Sequence, residues 1–351
     1  MSVHPVTLTT LDGAVLEVDC DPGLTVLEAA ANAGRILPAQ CRSGSCGSCA
    51  AHAAGDYHLG SFDADALPTG PPPEPDLDAV LLCRTYPDGP MRVRLRCDSS
   101  RILTESPARR EATLTALDVL APDVVRLVLD LDPTEDGGTG VEFDPGQFVE
   151  LEVPGSSLRR AYSLANTANW DGQAELLVRL LPGGVFSSYL AGPARIGDRL
   201  VVHGPQGAFG LVETGLRPRW FVAGGTGLAP LLSMLRQMAE FGEPHPARLF
   251  LGVNVVESLF ATDLLADLAT QLPTFIHRSC IRDGADETRP PGTSPGTPVD
   301  ALAADLADWQ AAGGAEPELY LCGPPGMVTA ATATALASGL APHRILSERF
   351  T

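Results

Sequence analysis

The chain contains no lysine. All 24 of its basic residues are arginine, they face 43 acids, and the formal charge is −19. Nucleic acid and anionic membrane surfaces both need a positive face, so neither is an expected partner. With the high alanine, glycine and proline content, the missing lysine reads as a bias of the coding DNA, not as function. Long apolar runs are missing too. Although 44% of residues are hydrophobic, no stretch approaches the roughly 18 residues that a membrane-spanning helix needs. The N-terminus has neither a basic n-region nor an apolar h-region, and no secretory signal is expected. The seven histidines form no close metal-type pair, and the Cys-x-His pattern of a Rieske centre is absent. Eight cysteines in 351 residues are not a disulfide framework. A reducing, cytoplasmic compartment and a monomer are expected.

What is present begins with those cysteines. Cys41, Cys46 and Cys49 stand at C-x4-C-x2-C spacing in Cys-Arg-Ser-Gly-Ser-Cys-Gly-Ser-Cys, and Cys83 follows after 33 residues in Val-Leu-Leu-Cys-Arg. This is the spacing of a plant-type [2Fe–2S] site. Gly44 and Gly47 suit it, because a loop wrapping a cluster must bend at positive φ and turn N–H groups toward sulfur. A four-thiolate zinc site and a pair of disulfides compete. Zinc ribbons, however, usually bring two similar C-x2-C knuckles, and here the second half is a lone cysteine. Cys20, Cys97, Cys280 and Cys322 are scattered and read as small buried apolar residues.

The texture of the chain changes twice, and three domains are expected. Residues 1–99 read as a compact α+β unit. It has a hairpin over 3–9 and 14–19, a helix from Leu24 to Ala33, strands over 79–83 and 91–97, and a rigid Pro-rich surface stretch at 68–75. It is acidic over 1–101, with thirteen acids against seven arginines. Residues 100–110 read as a linker. Residues 111–213 hold short alternating runs (112–118, 124–131, 147–153, 174–180, 198–202) split by Pro, Gly and Asp, the pattern of an antiparallel β-barrel or sandwich. Residues 214–351 alternate strand and helix, which implies a doubly wound parallel sheet. Within them, 282–298 is rich in Gly, Pro, Thr and Asp and reads as a loop.

Three further elements carry chemistry. Arg160-Ala161-Tyr162-Ser163 closes a strand with a fixed positive fork and a flat ring. Arg179-Leu-Leu-Pro-Gly-Gly184-Val-Phe-Ser187-Ser188 turns from strand to helix, where N–H groups and hydroxyls could hold a diphosphate. Gly224-Gly225-Thr226-Gly227 lies directly between a strand and a helix, as a phosphate-binding turn must, without being G-x-G-x-x-G. A second such turn follows at Cys322-Gly323-Pro324. Taken singly, Tyr162 could be core and each glycine run a tight turn.

Taken in order, Arg160–Ser163, Gly184-x-x-Ser187, Gly204-Pro-x-Gly207, Gly224–Gly227 and Cys322–Pro324 resemble the ferredoxin–NADP reductase superfamily. With the cysteine-bearing unit ahead of them, the order resembles the reductase components of bacterial oxygenases, above all those of soluble di-iron monooxygenases of the methane monooxygenase type. The likeness is strong in Leu82–Pro87, Phe143–Phe148, Phe221–Pro230 and Tyr320–Met327. It implies a β-grasp-like ferredoxin domain, an FAD-binding barrel and an NADH-binding domain, with electrons passing from NADH through FAD and the cluster to a hydroxylase. It implies Tyr162 against the flavin, Arg160 beside its diphosphate, Ser163 near its reactive nitrogen, and Ala161 among the cofactor-binding residues. It also implies Gly184 and Ser187 completing the phosphate site, Gly224 to Gly227 facing the NADH diphosphate, Cys322 near the nicotinamide, and Phe350 over the other flavin face. The residue before Phe350 is Arg349, where relatives often carry lysine. NADH is expected over NADPH, because 253–260 holds no arginine and Glu257 could accept from a ribose hydroxyl. An aromatic-ring dioxygenase reductase is the near alternative, and a non-catalytic electron carrier or regulatory flavoprotein the distant one.

Overall fold

Alternation of apolar and polar residues builds the first sheet. Val6 and Leu8 of β1 (His4–Thr9) and Val18 and Cys20 of β2 (Val15–Cys20) point to one face and are buried. The strands pair antiparallel from His4↔Cys20 to Thr9↔Val15. The computed structural model describes residues 3–68, 72–134, 136–156, 158–213, 215–284 and 289–350, so parts of the 68–75 and 282–298 segments lie outside the described residues. The chain divides into two units. One comprises Met1–Pro107 with Gln206–Ala208 and Glu348–Thr351, and the other comprises Ala108–Pro205 with Phe209–Ser347.

In the first unit, α1 (Val26–Asn32) starts at Thr25, whose hydroxyl and amide exchange hydrogen bonds with Glu28 in a capping box. The helix buries Val26, Leu27, Ala29 and Ala30. Then come β3 (Ala50–Leu59), β4 (Asp78–Leu81) and β5 (Thr85–Arg94), giving the order β2-β1-β5-β3-β4, with β1 and β5 parallel. This differs from the expected strands in two ways. The strand read at 79–83 stops at Leu81, and Cys83 sits on a single helical turn, Leu82–Arg84. The strand read at 91–97 begins at Thr85 and runs through Pro87 and Pro90, pairing Pro87 with Tyr57. Its burial alternates along the whole length, and that cross-strand packing outweighs the local turn signals.

The second unit opens with a six-stranded antiparallel sheet. Its strands are β6 (Arg109–Ala121), β7 (Val124–Leu131), β8 (Phe148–Glu152), β9 (Arg159–Ser163), β10 (Gln173–Arg179) and β11 (Arg199–Gln206), in the order β10-β7-β6-β11-β8-β9. Leu164, just past β9, bridges Leu176 of β10. That joins the two edges and closes a barrel round Leu114, Leu127, Leu151 and Leu176. The helix α2 (Val185–Ala191) follows β10.

A parallel sheet follows in the chain. In chain order it runs β12 (Arg219–Gly224), α3 (Leu228–Glu240), β13 (Ala247–Val253), α4 (Thr262–Gln271), β14 (Phe275–Ile281), β15 (Thr293–Pro295), α5 (Pro298–Ala311), β16 (Glu318–Gly323), α6 (Pro325–Ala337) and β17 (Ile345–Arg349). The strand order is β15-β14-β13-β12-β16-β17, with β12 parallel to both β13 and β16. Chain direction across the sheet reverses between β12 and β16, the place where such folds open a ligand crevice. Part of the expected 282–298 loop is therefore an edge strand, short enough for Pro295 to end it without breaking a central ladder. Trp220, Phe221, Phe250 and Tyr320 are fully buried at the centre, and each apolar side chain so buried contributes about 1.5–3 kcal/mol. No helix among the described residues is long and apolar enough to cross a membrane.

Candidate functional site

Three thiols share one loop because that loop is built on glycine. Gly44 and Gly47 hold φ of +83° and +78°, and a Cβ would fall 2.8 Å from Phe62 Cβ at the first and 2.7 Å from Ala66 O at the second. A larger residue there would have to move the loop. Cys46 and Cys49 are buried and Cys41 is half-buried. Cys83 arrives, also buried, on the turn between β4 and β5, where the Thr85 hydroxyl donates to Leu81 O at 2.9 Å. Arg84 ties the two parts together by donating from Nη2 to Ser43 O at 3.1 Å.

The thiols meet in pairs, Cys41 with Cys46 and Cys49 with Cys83, each within hydrogen-bond reach. Two pairs suit a unit of two irons. All eight cysteines are free, which removes the disulfide reading. Arg84 Nε is buried with no hydrogen-bond partner among the described residues, a donor available to sulfur, and Ser43 N–H already donates to Cys41 Sγ at 3.4 Å. These residues fit a [2Fe–2S] cluster. The other four cysteines, Cys20, Cys97, Cys280 and Cys322, are buried, as their scatter suggested.

In the barrel, β9 carries Arg160, Ala161, Tyr162 and Ser163 against β8. Arg160 is exposed, donates from Nη1 to Arg159 O at 2.9 Å, and has no carboxylate partner among the described residues. Tyr162 is half-buried, its ring centroid 5.5 Å from that of Phe186. Burial pushes its phenol well above the usual tyrosine range, so it stays neutral. Ser163 is buried. Gly184 is the N-cap of α2, and Ser187 Oγ accepts the Leu181 N–H at 2.9 Å, which leaves its own hydrogen to donate. Ser188 is exposed. An unpaired guanidinium, a flat ring and a helix start on one barrel face fit a flavin with its diphosphate.

A crevice of about 550 Å³ opens at the reversal between β12 and β16. Gly224, Gly225, Thr226 and Pro324 line it. The two glycine turns are packed backbone to backbone, so that a Cβ on Gly227 would stand 2.2 Å from Cys322 O. Cys322 itself is fully buried beside Ala223 in parallel register, and Gly323 ends β16. The helix α3 is fixed to the barrel by Ser233, whose hydroxyl donates to Asn166 O at 2.5 Å, and by Arg236, which donates to Ala165 O at 2.8 Å and pairs with the buried Glu175 at 3.1 Å.

Two expected residues stand elsewhere. Arg179, expected with the flavin diphosphate, lines this crevice and pairs with Asp123 at 3.1 Å. Glu257 is exposed, while its neighbours Asn254 and Ser258 line the crevice instead. Phe350 is half-buried directly after β17. Arg282 was missed in the sequence. It follows β14, lines the crevice, and donates to Asp283 from Nη2 at 3.0 Å and from Nε at 3.2 Å. Surveying the carboxyl ends of every parallel strand, and not the second alone, would have found it.

Comparison with known proteins gives three family matches. Residues 9–88 match a 2Fe-2S iron-sulfur cluster binding domain, 111–210 an oxidoreductase FAD-binding domain, and 221–333 an oxidoreductase NAD-binding domain. The chain is 41% identical to methane monooxygenase component C of Methylosinus trichosporium over 79% of each chain. It is 34% identical to the toluate 1,2-dioxygenase electron transfer component of Pseudomonas putida over 99% of this chain and 98% of that one. Among solved structures, an Amycolatopsis cytochrome P450 reductase superposes with a TM-score of 0.72 at 32% identity, over 99% of both chains.

Proposed function

The chain belongs to the iron–sulfur flavoprotein reductases that serve oxygenases, and from that premise we propose that its acceptor is the hydroxylase of a soluble di-iron monooxygenase. It is an NADH-dependent oxidoreductase that uses FAD and a [2Fe–2S] cluster. The observation that carries the proposal is the chain order of paired thiols, the Arg160–Ser163 strand end and the glycine-lined crevice. FAD, when bound, takes a hydride and releases electrons singly, and a [2Fe–2S] cluster accepts them one at a time.

The chain's own work is placement. Arg160, Gly184 and Ser187 hold the flavin diphosphate, and Tyr162 presents its face to the ring. Gly224, Gly225, Thr226 and Gly227 let the NADH diphosphate approach the backbone. Ser163 and Cys322 position the reacting rings, and no side chain is asked to be a general acid or base.

The 41% identity to methane monooxygenase component C supports the di-iron acceptor, whereas the fuller coverage of the toluate dioxygenase component favours an aromatic-ring dioxygenase as second reading. Coupling the purified reductase to a hydroxylase of each kind and measuring product per NADH separates them. A cytoplasmic monomer belongs to the same proposal, and thiols left unpaired suit a reducing compartment. The primary test is anaerobic titration with NADH. The flavin absorption should bleach and a rhombic EPR signal of a reduced [2Fe–2S] centre should rise. A purified protein whose flavin NADH does not bleach would overturn the reading.

Both crevice arginines already have carboxylate partners, Asp123 and Asp283, so among the described residues a 2′-phosphate finds no unpaired cation in the crevice. NADH should be used in preference to NADPH, measured as kcat/KM. Replacing Asp283 by Asn should release Arg282 and improve NADPH use several-fold, since an exposed pair of this kind is weak and readily exchanged. Parent-like NADPH kinetics in that variant would remove Arg282 from the 2′-position.

A further inference from the structure

The Ser48 hydroxyl lies 3.0 Å from Cys46 Sγ, and its oxygen accepts the Gln40 N–H at 2.8 Å. A hydroxyl has one hydrogen and two lone pairs. The Gln40 N–H occupies one lone pair and orients the group, which leaves the hydrogen for Cys46. When Cys46 is a thiolate ligand it has no proton to give, so Ser48 alone can donate. We propose that Ser48 is a positioning residue for the cluster, a fixed O–H···S donor that raises its reduction potential through Cys46. The inference rests on the reading of Cys41, Cys46, Cys49 and Cys83 as cluster ligands.

The physical argument is differential. One-electron reduction adds a negative charge to the cluster and transfers no proton from Ser48. The sulfurs become better acceptors, so a hydrogen bond to Cys46 is stronger in the reduced state than in the oxidised one. The remaining hydroxyls of the loop do not share this arrangement. Ser43 and Ser45 reach toward Cys41, but they bond each other at 3.2 Å in an exposed position where water can replace either. Ser48 is half-buried and anchored by the backbone of Gln40.

The test is an EPR-monitored redox titration of the full-length protein and its Ser48→Ala, Ser48→Thr and Ser48→Cys variants, with iron content and thermal midpoint recorded for each. At fixed poise, Ser48→Ala should show about tenfold less reduced cluster, a midpoint about 59 mV more negative for one electron. Ser48→Thr should restore the parent midpoint, and Ser48→Cys, a weaker donor, should fall between. A fully loaded Ser48→Ala protein with the parent midpoint would overturn the inference. Where Ser48→Ala fails to load iron, an unshifted Ser48→Cys midpoint overturns it equally. Parent protein purified without iron would instead sink the cluster assignment itself.

Discussion

Cys83→Ala protein will purify without the parent's iron and without the reduced-cluster EPR signal, yet NADH will still bleach its flavin and ferricyanide will still be reduced. Cys83 is the one ligand supplied from outside the 41–49 loop, buried on the turn Leu82–Arg84 and paired with Cys49. Removing it leaves Cys49 without a partner, and a cluster held by three thiolates is not retained. Because metal binding is itself folding free energy, the first unit also loses stability. The Arg160–Ser163 strand end and the β12/β16 crevice belong to the second unit, which has its own cores. Ferricyanide reduction should therefore stay within about twofold of the parent, while transfer to a cluster-dependent acceptor falls by roughly a hundredfold or more. Iron analysis, EPR and the two rates measured side by side decide it. Parent-like iron would remove Cys83 from the site, and loss of ferricyanide reduction would show that the flavin site depends on the cluster.

Gly227→Ala should damage the other half of the enzyme. The added Cβ would stand 2.2 Å from Cys322 O and 2.5 Å from Cys322 C, both backbone atoms that no rotamer can clear. Either α3 or β16 must shift. Overpacking of this kind costs about 3 kcal/mol or more, which lowers the thermal midpoint of a unit this size by roughly 6–12 °C. The glycine turn moves with α3, and a displacement near 1 Å can cost about a hundredfold in kcat/KM for NADH. Gly225→Ala is the control. Gly225 has φ +53°, but a Cβ there meets nothing within 4 Å, so only backbone strain of about 1 kcal/mol applies. Iron content should be unchanged in both. Equal, small effects in the two variants would mean that the close approach of the turns is not needed for NADH binding.

These sites were legible to different degrees. The C-x4-C-x2-C run declared itself because ligand spacing is local, and Gly224–Gly227 did so because strand, turn and helix follow each other without interruption. The start of β5 was hidden by Pro87, Gly89 and Pro90, whose local meaning is a turn and whose actual pairing partners, such as Tyr57, lie some thirty residues upstream. The edge strand β15 was hidden in a segment of turn formers for the same reason. Pairing of the four thiols two by two could not be read from spacing, which does not say which sulfurs approach. Arg282 lay outside the one loop surveyed for cofactor choice, and the diversion of Arg179 to the crevice depends on Asp123, a partner 56 residues away.

The first unit is assembled from three stretches of chain, Met1–Pro107, Gln206–Ala208 and Glu348–Thr351, with Ala208 packed against its core. That has a consequence for biosynthesis. The ribosome releases the cysteine-bearing segment first, yet Gln206–Ala208 of that same unit are made only after the barrel, and Glu348–Thr351 only after most of the nicotinamide sheet, at a pace of about 5–20 residues per second. The iron–sulfur unit is thus finished only after the nicotinamide sheet has emerged.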